Sequence, residues 1–242
     1  MSADTSGLRD RWHDASGGLA YHWRALRHGR QWRAFHTQVG QWLAGWPCDA
    51  PTLILVGPSA GYALNAHFLA RFAHRVVLEP DPLARWLLRR RFPELAWSFA
   101  REDVFADDQA LERLADAHPQ AAFLFCNVLG QVFDADALGA WLAHQADWFD
   151  HHRWASWHDV FSSDRPPGRL PTAAEAALPP EAADSVARAL WANQRCAVED
   201  HGSFGWRPGA RHALWQLTPR QWHVIGFLAH TPASHEALIA PA

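Results

Sequence analysis

The chain has 242 residues, 49% of them apolar, and a formal net charge of −3. This is enough apolar material for a substantial core, gives no electrostatic case for a dedicated nucleic-acid binder, and includes no run of about 18 apolar residues for a membrane span. All 22 basic residues are arginine, which excludes a P-loop lysine, a Schiff-base lysine and a Tyr-x-x-x-Lys reductase pair.

Residues 1–17 read as a flexible, polar N-terminus with no secretory signal. Residues 18–50 read as a helical appendage packed on the core. Leu19, Trp23 and Leu26, then Trp32, Phe35, Val39, Trp42 and Trp46, recur at three and four, with a break expected near Gly29. Arg24, Arg27, Arg30 and Arg33 mark the other side of this helix: a solvated face, the surface of a cap over a substrate mouth, or a surface for an acidic partner. Residues 51–242 read as one α/β domain. An apolar strand, Leu53–Val56, meets the turn Gly57-Pro58-Ser59-Ala60-Gly61, followed by a helix over Tyr62–Ala73 and a second strand, Val76–Leu78, ending on Glu79. Pro82 opens a helix that stops before Pro93, and a strand over Ala96–Ala100 follows. Helices over Asp108–Ala117 and Asp134–Ala146 flank the strand Ala121–Cys126, and a fifth strand covers Trp154–Phe161. Residues 162–183, rich in proline and alanine, read as a surface insertion or lid. A helix over Ala183–Asn193 and a hairpin, Ala213–Leu217 with Trp222–Ala229, complete the pattern. The expected fold is an open, mostly parallel, Rossmann-like sheet with a C-terminal antiparallel hairpin. The three cysteines, Cys48, Cys126 and Cys196, are far apart and fit reduced thiols in a cytoplasm.

The turn after the first strand carries the functional signal. A dinucleotide fingerprint needs glycine at 57, 59 and 62, the second so that backbone can approach a pyrophosphate. This chain has Gly57, Ser59 and Tyr62 there. Glu79 stands about 20 residues past the turn, where a carboxylate accepts the ribose hydroxyl protons. A ribose site without a pyrophosphate site points to S-adenosylmethionine rather than a nicotinamide dinucleotide.

On these residues the chain resembles the class I, Rossmann-like S-adenosylmethionine-dependent methyltransferases over roughly Pro51 to His230. The family's first motif, acidic-x-Gly-x-Gly-x-Gly, meets Leu55, Gly57, Ser59 and Gly61 here, so the acid and the middle glycine are replaced. The resemblance implies that Asp103, with Val104 and Phe105, holds the adenine and that Asn127 lies between cofactor and acceptor. Asn127 belongs to no Pro-Pro-Tyr or Pro-Pro-Phe motif, which disfavours amide-nitrogen and adenine acceptors. Asp81 either accompanies Glu79 at the ribose or caps the helix at Pro82.

For acceptor activation, strand alternation in HHRWASWHDVF puts His158 and Asp159 on opposite faces near the strand end. These are the first candidates for proton removal, and His201 is the second. His151, His152, His158 and Asp159 lack a recognised metal-ligand spacing, so no metal is expected. The implied activity is methyl transfer to a small-molecule or peptide-borne acceptor, with no membrane partner. The alternative is a noncatalytic nucleoside-binding protein on the same scaffold, the reading that Leu55 and Ser59 favour.

Overall fold

The computed structural model describes residues 18–232, so the expectation for residues 1–17 lies outside the described part. Eight strands form one sheet in the order β3-β2-β1-β4-β5-β8-β7, with the short β6 pairing the end of β5. β1 (Thr52–Val56), β2 (His74–Leu78), β3 (Ser98–Phe99), β4 (Ala121–Cys126) and β5 (Arg153–Ser163) run parallel. β8 (Gln221–His230) pairs antiparallel with both β5 and β7 (Arg211–Thr218). The strand order reverses between β1 and β4, and a ligand crevice opens at their carboxyl ends in such sheets.

The central strands form because they are continuous apolar runs covered on both faces. TLILV and AAFLFC are buried at every position. One face packs under the helix α1 (Gly18–Ala44), where Trp32, Phe35, Val39 and Leu43 meet Leu53, Leu55, Trp215 and Phe227. Trp32 Nε1 donates to the Leu217 carbonyl at 2.9 Å, and Phe35 stacks on Trp215 with ring centroids 4.9 Å apart. The other face packs under α4 (Ala110–Ala117), α5 (Ala135–His144) and α6 (Ala146–His151), around Phe123, Phe125, Trp141, Trp148 and Phe149.

Four sequence expectations need correction. α1 does not break at Gly29: it is one helix, and a Cβ at Gly29 would meet nothing within 4 Å. A glycine inside a helix costs about 1 kcal/mol, which the buried residues on either side, His22 and Ala25 before it and Trp32 and Phe35 after it, outweigh. The early apolar triplet also faces the other way. Leu19, Trp23 and Leu26 are 72%, 65% and 80% exposed, while His22 and Ala25, one residue out of phase with them, are buried. The helix expected at Tyr62–Ala73 shrinks to α2 (Ala66–Leu69), because Asn65 caps it by accepting from Phe68 N at 2.8 Å and the chain before it turns. Finally, the segment expected over residues 162–183 starts later. β5 continues to Ser163, and two 3-10 turns, Glu175–Ala177 and Pro180–Ala182, lead into α7 (Ala183–Leu190). Gly168 N donates to the Leu190 carbonyl at 2.8 Å and Trp191 Nε1 to the Arg165 carbonyl at 2.9 Å, tying the segment against the end of α7. β6 (Val198–Asp200), three mostly polar residues without alternation, gave no signal.

Gly61 takes its place from packing. Its φ is +66°, and a Cβ there would lie 2.6 Å from Leu88 Cδ1 and 3.1 Å from a Phe92 ring carbon of α3 (Pro82–Arg91). We expect Gly61→Ala to lower stability by about 2 kcal/mol through left-handed strain and overpacking. In a chain of this size that is roughly a 4–8 °C fall in Tm. An unchanged Tm would show that the turn and α3 are not in tight contact.

Candidate functional site

Two adjoining cavities open at the carboxyl ends of the strands. The first is lined by the β1 turn (Gly57, Pro58, Ser59), the start of the following segment (Tyr62, Leu64), the end of β2 (Glu79, Asp81) and the end of β4 (Cys126, Asn127). The second, about 580 Å³, is lined among others by Asp159, His201 and His223. Tyr21, Gln131 and Trp215 face both.

Glu79 sits at the floor of the first cavity, 7% exposed. Its Oε2 accepts from Ser59 N at 2.7 Å and its Oε1 from Asp81 N at 3.0 Å, so it ties the β1 turn to the start of α3. Arg85 Nε donates to the Glu79 carbonyl. Burial pushes the carboxyl up to about 7, against the opposing pull of the two backbone N–H groups. Each oxygen of a carboxylate has two lone pairs, so one on each remains for a ligand. Ser59 adopts φ +51° and Gly57 φ +61°, both in the left-handed region, and their N–H groups donate, respectively, to Glu79 Oε2 and to the Leu78 carbonyl at 2.9 Å. Ser59 holds this shape as a non-glycine residue.

Asp81 does both things the sequence left open. Its Oδ1 caps α3 by accepting from Leu83 N at 2.8 Å, and its Oδ2 lies 3.2 Å from His22 Nε2. His22 Nδ1 in turn lies 3.0 Å from the Tyr62 hydroxyl. The N-terminal helix α1 therefore closes one side of the first cavity through a buried polar chain. Tyr21, next on the same helix, has its phenol pushed well above the usual range, first by burial and then by the charges of Tyr62 and Asp159.

Asn127 ends β4 with φ +56°, and its backbone N donates to the Trp157 carbonyl at 2.8 Å. Its Nδ2 donates to Asp159 Oδ2 at 3.3 Å, and its Oδ1 is buried without a partner among the described residues. Asp103 caps its own turn, accepting from Phe105 N at 3.1 Å, and lines a shallow depression with Glu79, Pro80 and Arg101. Val104 and Phe105 are core residues: Trp141 Nε1 donates to the Val104 carbonyl at 3.3 Å and Phe105 packs on Trp141 with centroids 5.1 Å apart. Gly61 lies against α3, behind the turn.

Of the three residues singled out for proton removal, the structure brings Asp159 and His201 to the second cavity and separates His158 from both. His158 is 1% exposed, bonded to Ser156 Oγ at 3.0 Å and pressed against Gly226, where a Cβ would meet its Nε2 at 2.8 Å. Burial, with help from His212, pushes it down to about 3, so it is a neutral core histidine. Asp159 is fully buried and bonded on both oxygens. Oδ1 faces His223 Nδ1 at 2.8 Å, and Oδ2 accepts from Asn127 and from Gln131 Nε2. Burial alone would raise its carboxyl. The charge and hydrogen bond of His223, the charge of His201 and the Gln131 amide together hold it well below the usual carboxylate range. His201 has both nitrogens engaged: Nδ1 donates to the Gly130 carbonyl at 2.9 Å and Nε2 lies 3.0 Å from Ser162 Oγ.

Tyr21, His22 and His223 were passed over in the sequence. His223 had a readable signal. It alternates with Ile225 and Phe227 on β8, one polar residue in a row that otherwise faces the α1 layer. Among the described residues no cluster of three or more His, Cys, Asp or Glu is placed to hold a metal ion, and no helix is long and apolar enough to cross a membrane.

The pH response of the fold follows from Glu79. Its folded value is raised above the usual carboxyl value, so its contribution to stability is complete below about 4.5 and is lost as pH rises through 7. We expect wild type to lose stability relative to Glu79→Gln over that window, by up to about 3 kcal/mol. Parallel stability curves for the two proteins in urea, from pH 4 to 8, would refute the burial of this charge.

No protein-family model matches the sequence, and no curated protein matches it. Solved structures with a similar backbone course include three methyltransferases. One is the N-methyltransferase NodS from Bradyrhizobium japonicum WM9 in complex with S-adenosyl-L-homocysteine, at 12% identity over 82% of this chain and 87% of that one, TM-score 0.45. Magnesium protoporphyrin IX methyltransferase (ChlM) from Synechocystis PCC 6803 with bound SAM is similar at 13% identity over 96% and 99%, TM-score 0.48. An O-methyltransferase family protein from Burkholderia thailandensis is similar at 15% identity over 95% and 64%, TM-score 0.44. What the cleft of this chain can hold follows from its own residues.

Proposed function

We propose that this chain is an S-adenosylmethionine-dependent methyltransferase of the cytoplasm, acting on a small-molecule or peptide-borne acceptor. The observation that carries the reading is Glu79. A buried carboxylate, fixed by one backbone N–H on each oxygen and with a lone pair to spare on each, lies beside a left-handed turn at the crevice between β1 and β4. That is a ribose diol acceptor. Ser59 carries a side chain where a dinucleotide's pyrophosphate requires bare backbone, so the nucleoside is one without a diphosphate.

The residues present fit this cofactor. Gly57 and Ser59 line the same cavity as Asn127, whose Oδ1, buried and without a partner among the described residues, is an acceptor for the cofactor's amino-acid end where the family's acid is replaced by the buried Leu55. Glu79 takes the ribose, supported by Asp81. Asp103, in the depression beyond Glu79, would take the adenine amine, whereas Val104 and Phe105, 0% and 2% exposed, belong to the core behind it and support that turn rather than line the depression. Gly61 acts through packing of the turn on α3. When bound, the cofactor supplies a methyl group on a sulfonium, an excellent leaving group. The chain's task is then mainly placement of the acceptor in line with that methyl and exclusion of water. Asp159 and His201 face the adjoining cavity, on the acceptor side. The free thiols Cys48, Cys126 and Cys196 fit a reducing compartment.

Two measurements test this. Calorimetry with S-adenosylhomocysteine should show binding weakened by about 1.5–3 kcal/mol in Glu79→Ala, the value of a charge-assisted hydrogen bond. Tritium from methyl-labelled cofactor should appear in a small-molecule or peptide fraction of a cell extract. Binding without any transfer would establish the noncatalytic alternative instead, and equal affinity in both proteins would remove Glu79 from the ribose site.

A further inference from the structure

The second cavity contains a histidine whose geometry the cofactor reading does not use. His223 is 4% exposed, and its Nδ1 faces a carboxylate oxygen of Asp159, which can only accept from an N–H. Nδ1 therefore carries the proton, and in the neutral ring Nε2, on the opposite edge, carries the lone pair. Nε2 is buried with no hydrogen-bond partner among the described residues. An unpaired buried acceptor costs about 1–3 kcal/mol, so the fold maintains it at a loss. Its orientation is fixed twice over, because Asp159 is itself held by Asn127 and Gln131. His201, stacked on His223 with centroids 6.1 Å apart, cannot play the same part, since both of its nitrogens are engaged.

The surroundings indicate what Nε2 is for. Among the described residues the cavity rim carries three exposed carboxylates, Asp134, Glu199 and Asp200, against one guanidinium, Arg24. Tyr21 and Trp215 form an aromatic wall shared with the first cavity, a surface suited to a cation with an apolar body. Gln131 also faces both cavities, so an acceptor in the second abuts whatever occupies the first.

Resting on the cofactor assignment above, we propose that the second cavity is the acceptor site, that it takes a small molecule bearing an ammonium group, and that His223 Nε2 removes the proton that frees its nitrogen. An N–H bond of the ammonium breaks and its proton passes to Nε2, giving an imidazolium balanced by Asp159. The freed nitrogen lone pair forms the new N–C bond as the C–S bond of the sulfonium breaks, its electron pair returning to sulfur. The product leaves as the methylated ammonium with the neutral thioether, and the imidazolium releases its proton to water. His223 is thus a catalytic residue, while Asp159 is a positioning residue that fixes its tautomer.

Sinefungin, in which a carbon-borne amino group stands where the sulfonium methyl stands, probes the contact without a known acceptor. Its affinity and that of S-adenosylhomocysteine are measured by calorimetry for wild type and His223→Asn. We expect sinefungin to bind at least about 10-fold more tightly than the homocysteine compound in wild type. In the variant the ratio should fall to within about twofold, with homocysteine-compound affinity unchanged. The same ratio in both proteins overturns the proposal while leaving the cofactor assignment standing. Failure of wild type to bind either compound overturns both. Should the variant not fold, ¹⁵N NMR of the wild-type histidines decides. The unprotonated Nε2 resonance of His223 shifts with sinefungin but not with the homocysteine compound, and an unmoved resonance overturns the proposal.

Discussion

A single buried carboxylate organises the first cavity of this molecule. Glu79 holds the β1 turn by Ser59 N and the α3 start by Asp81 N, from a position that is almost free of water. Burying that charge is unfavourable, and its raised carboxyl value records the cost. The turn cannot relax to avoid it, because Gly61 on the far side is packed against Leu88 and Phe92. A ligand with two adjacent hydroxyls would supply donors to the lone pairs that the two backbone N–H groups leave over.

A second carboxylate, Asp159, plays a complementary part at the second cavity. It gathers the ends of β4, β5 and β8 by contacts to Asn127, Gln131 and His223, and its own carbonyl accepts from Ser203 Oγ at 2.6 Å. Here burial does not win: the imidazole charge and the amide donors more than offset desolvation. The two carboxylates thus reach opposite electrostatic outcomes in similar burial, because one faces an imidazole and the other backbone N–H groups alone. α1 lies across both, contributing His22 to the Glu79 side and Tyr21 to the boundary between the cavities. The N-terminal helix is accordingly part of the site.

What could be read in the sequence was what is local. The runs TLILV and AAFLFC announce buried parallel strands because no polar residue interrupts them, and Glu79 was marked by its distance from the turn. Asp159 could be named, but its partner could not. His223 meets it across an antiparallel pairing of β5 with β8 that includes a register shift beside Asp159, and no spacing in the chain encodes that shift. His158 looked equivalent to Asp159 until the sheet faces were assigned; it points to the side packed with Trp206. In α1, the apolar triplet Leu19, Trp23, Leu26 is as periodic as the buried stripe, and only contact with Asp81 and Tyr62 decides that His22 faces inward. The short α2 follows from one capping side chain, Asn65, against an otherwise helical pattern.

The claim on which the account turns is that the first cavity takes a nucleoside without a diphosphate. Thermal unfolding with S-adenosylhomocysteine and, in parallel, with NAD tests it most directly. A ligand present at about 100 times its Kd adds roughly 2.7 kcal/mol to stability, about 5–10 °C in Tm for a chain of this size. The account predicts that rise with the homocysteine compound and none with NAD. A rise with NAD, or no rise with either at millimolar concentration, would contradict it.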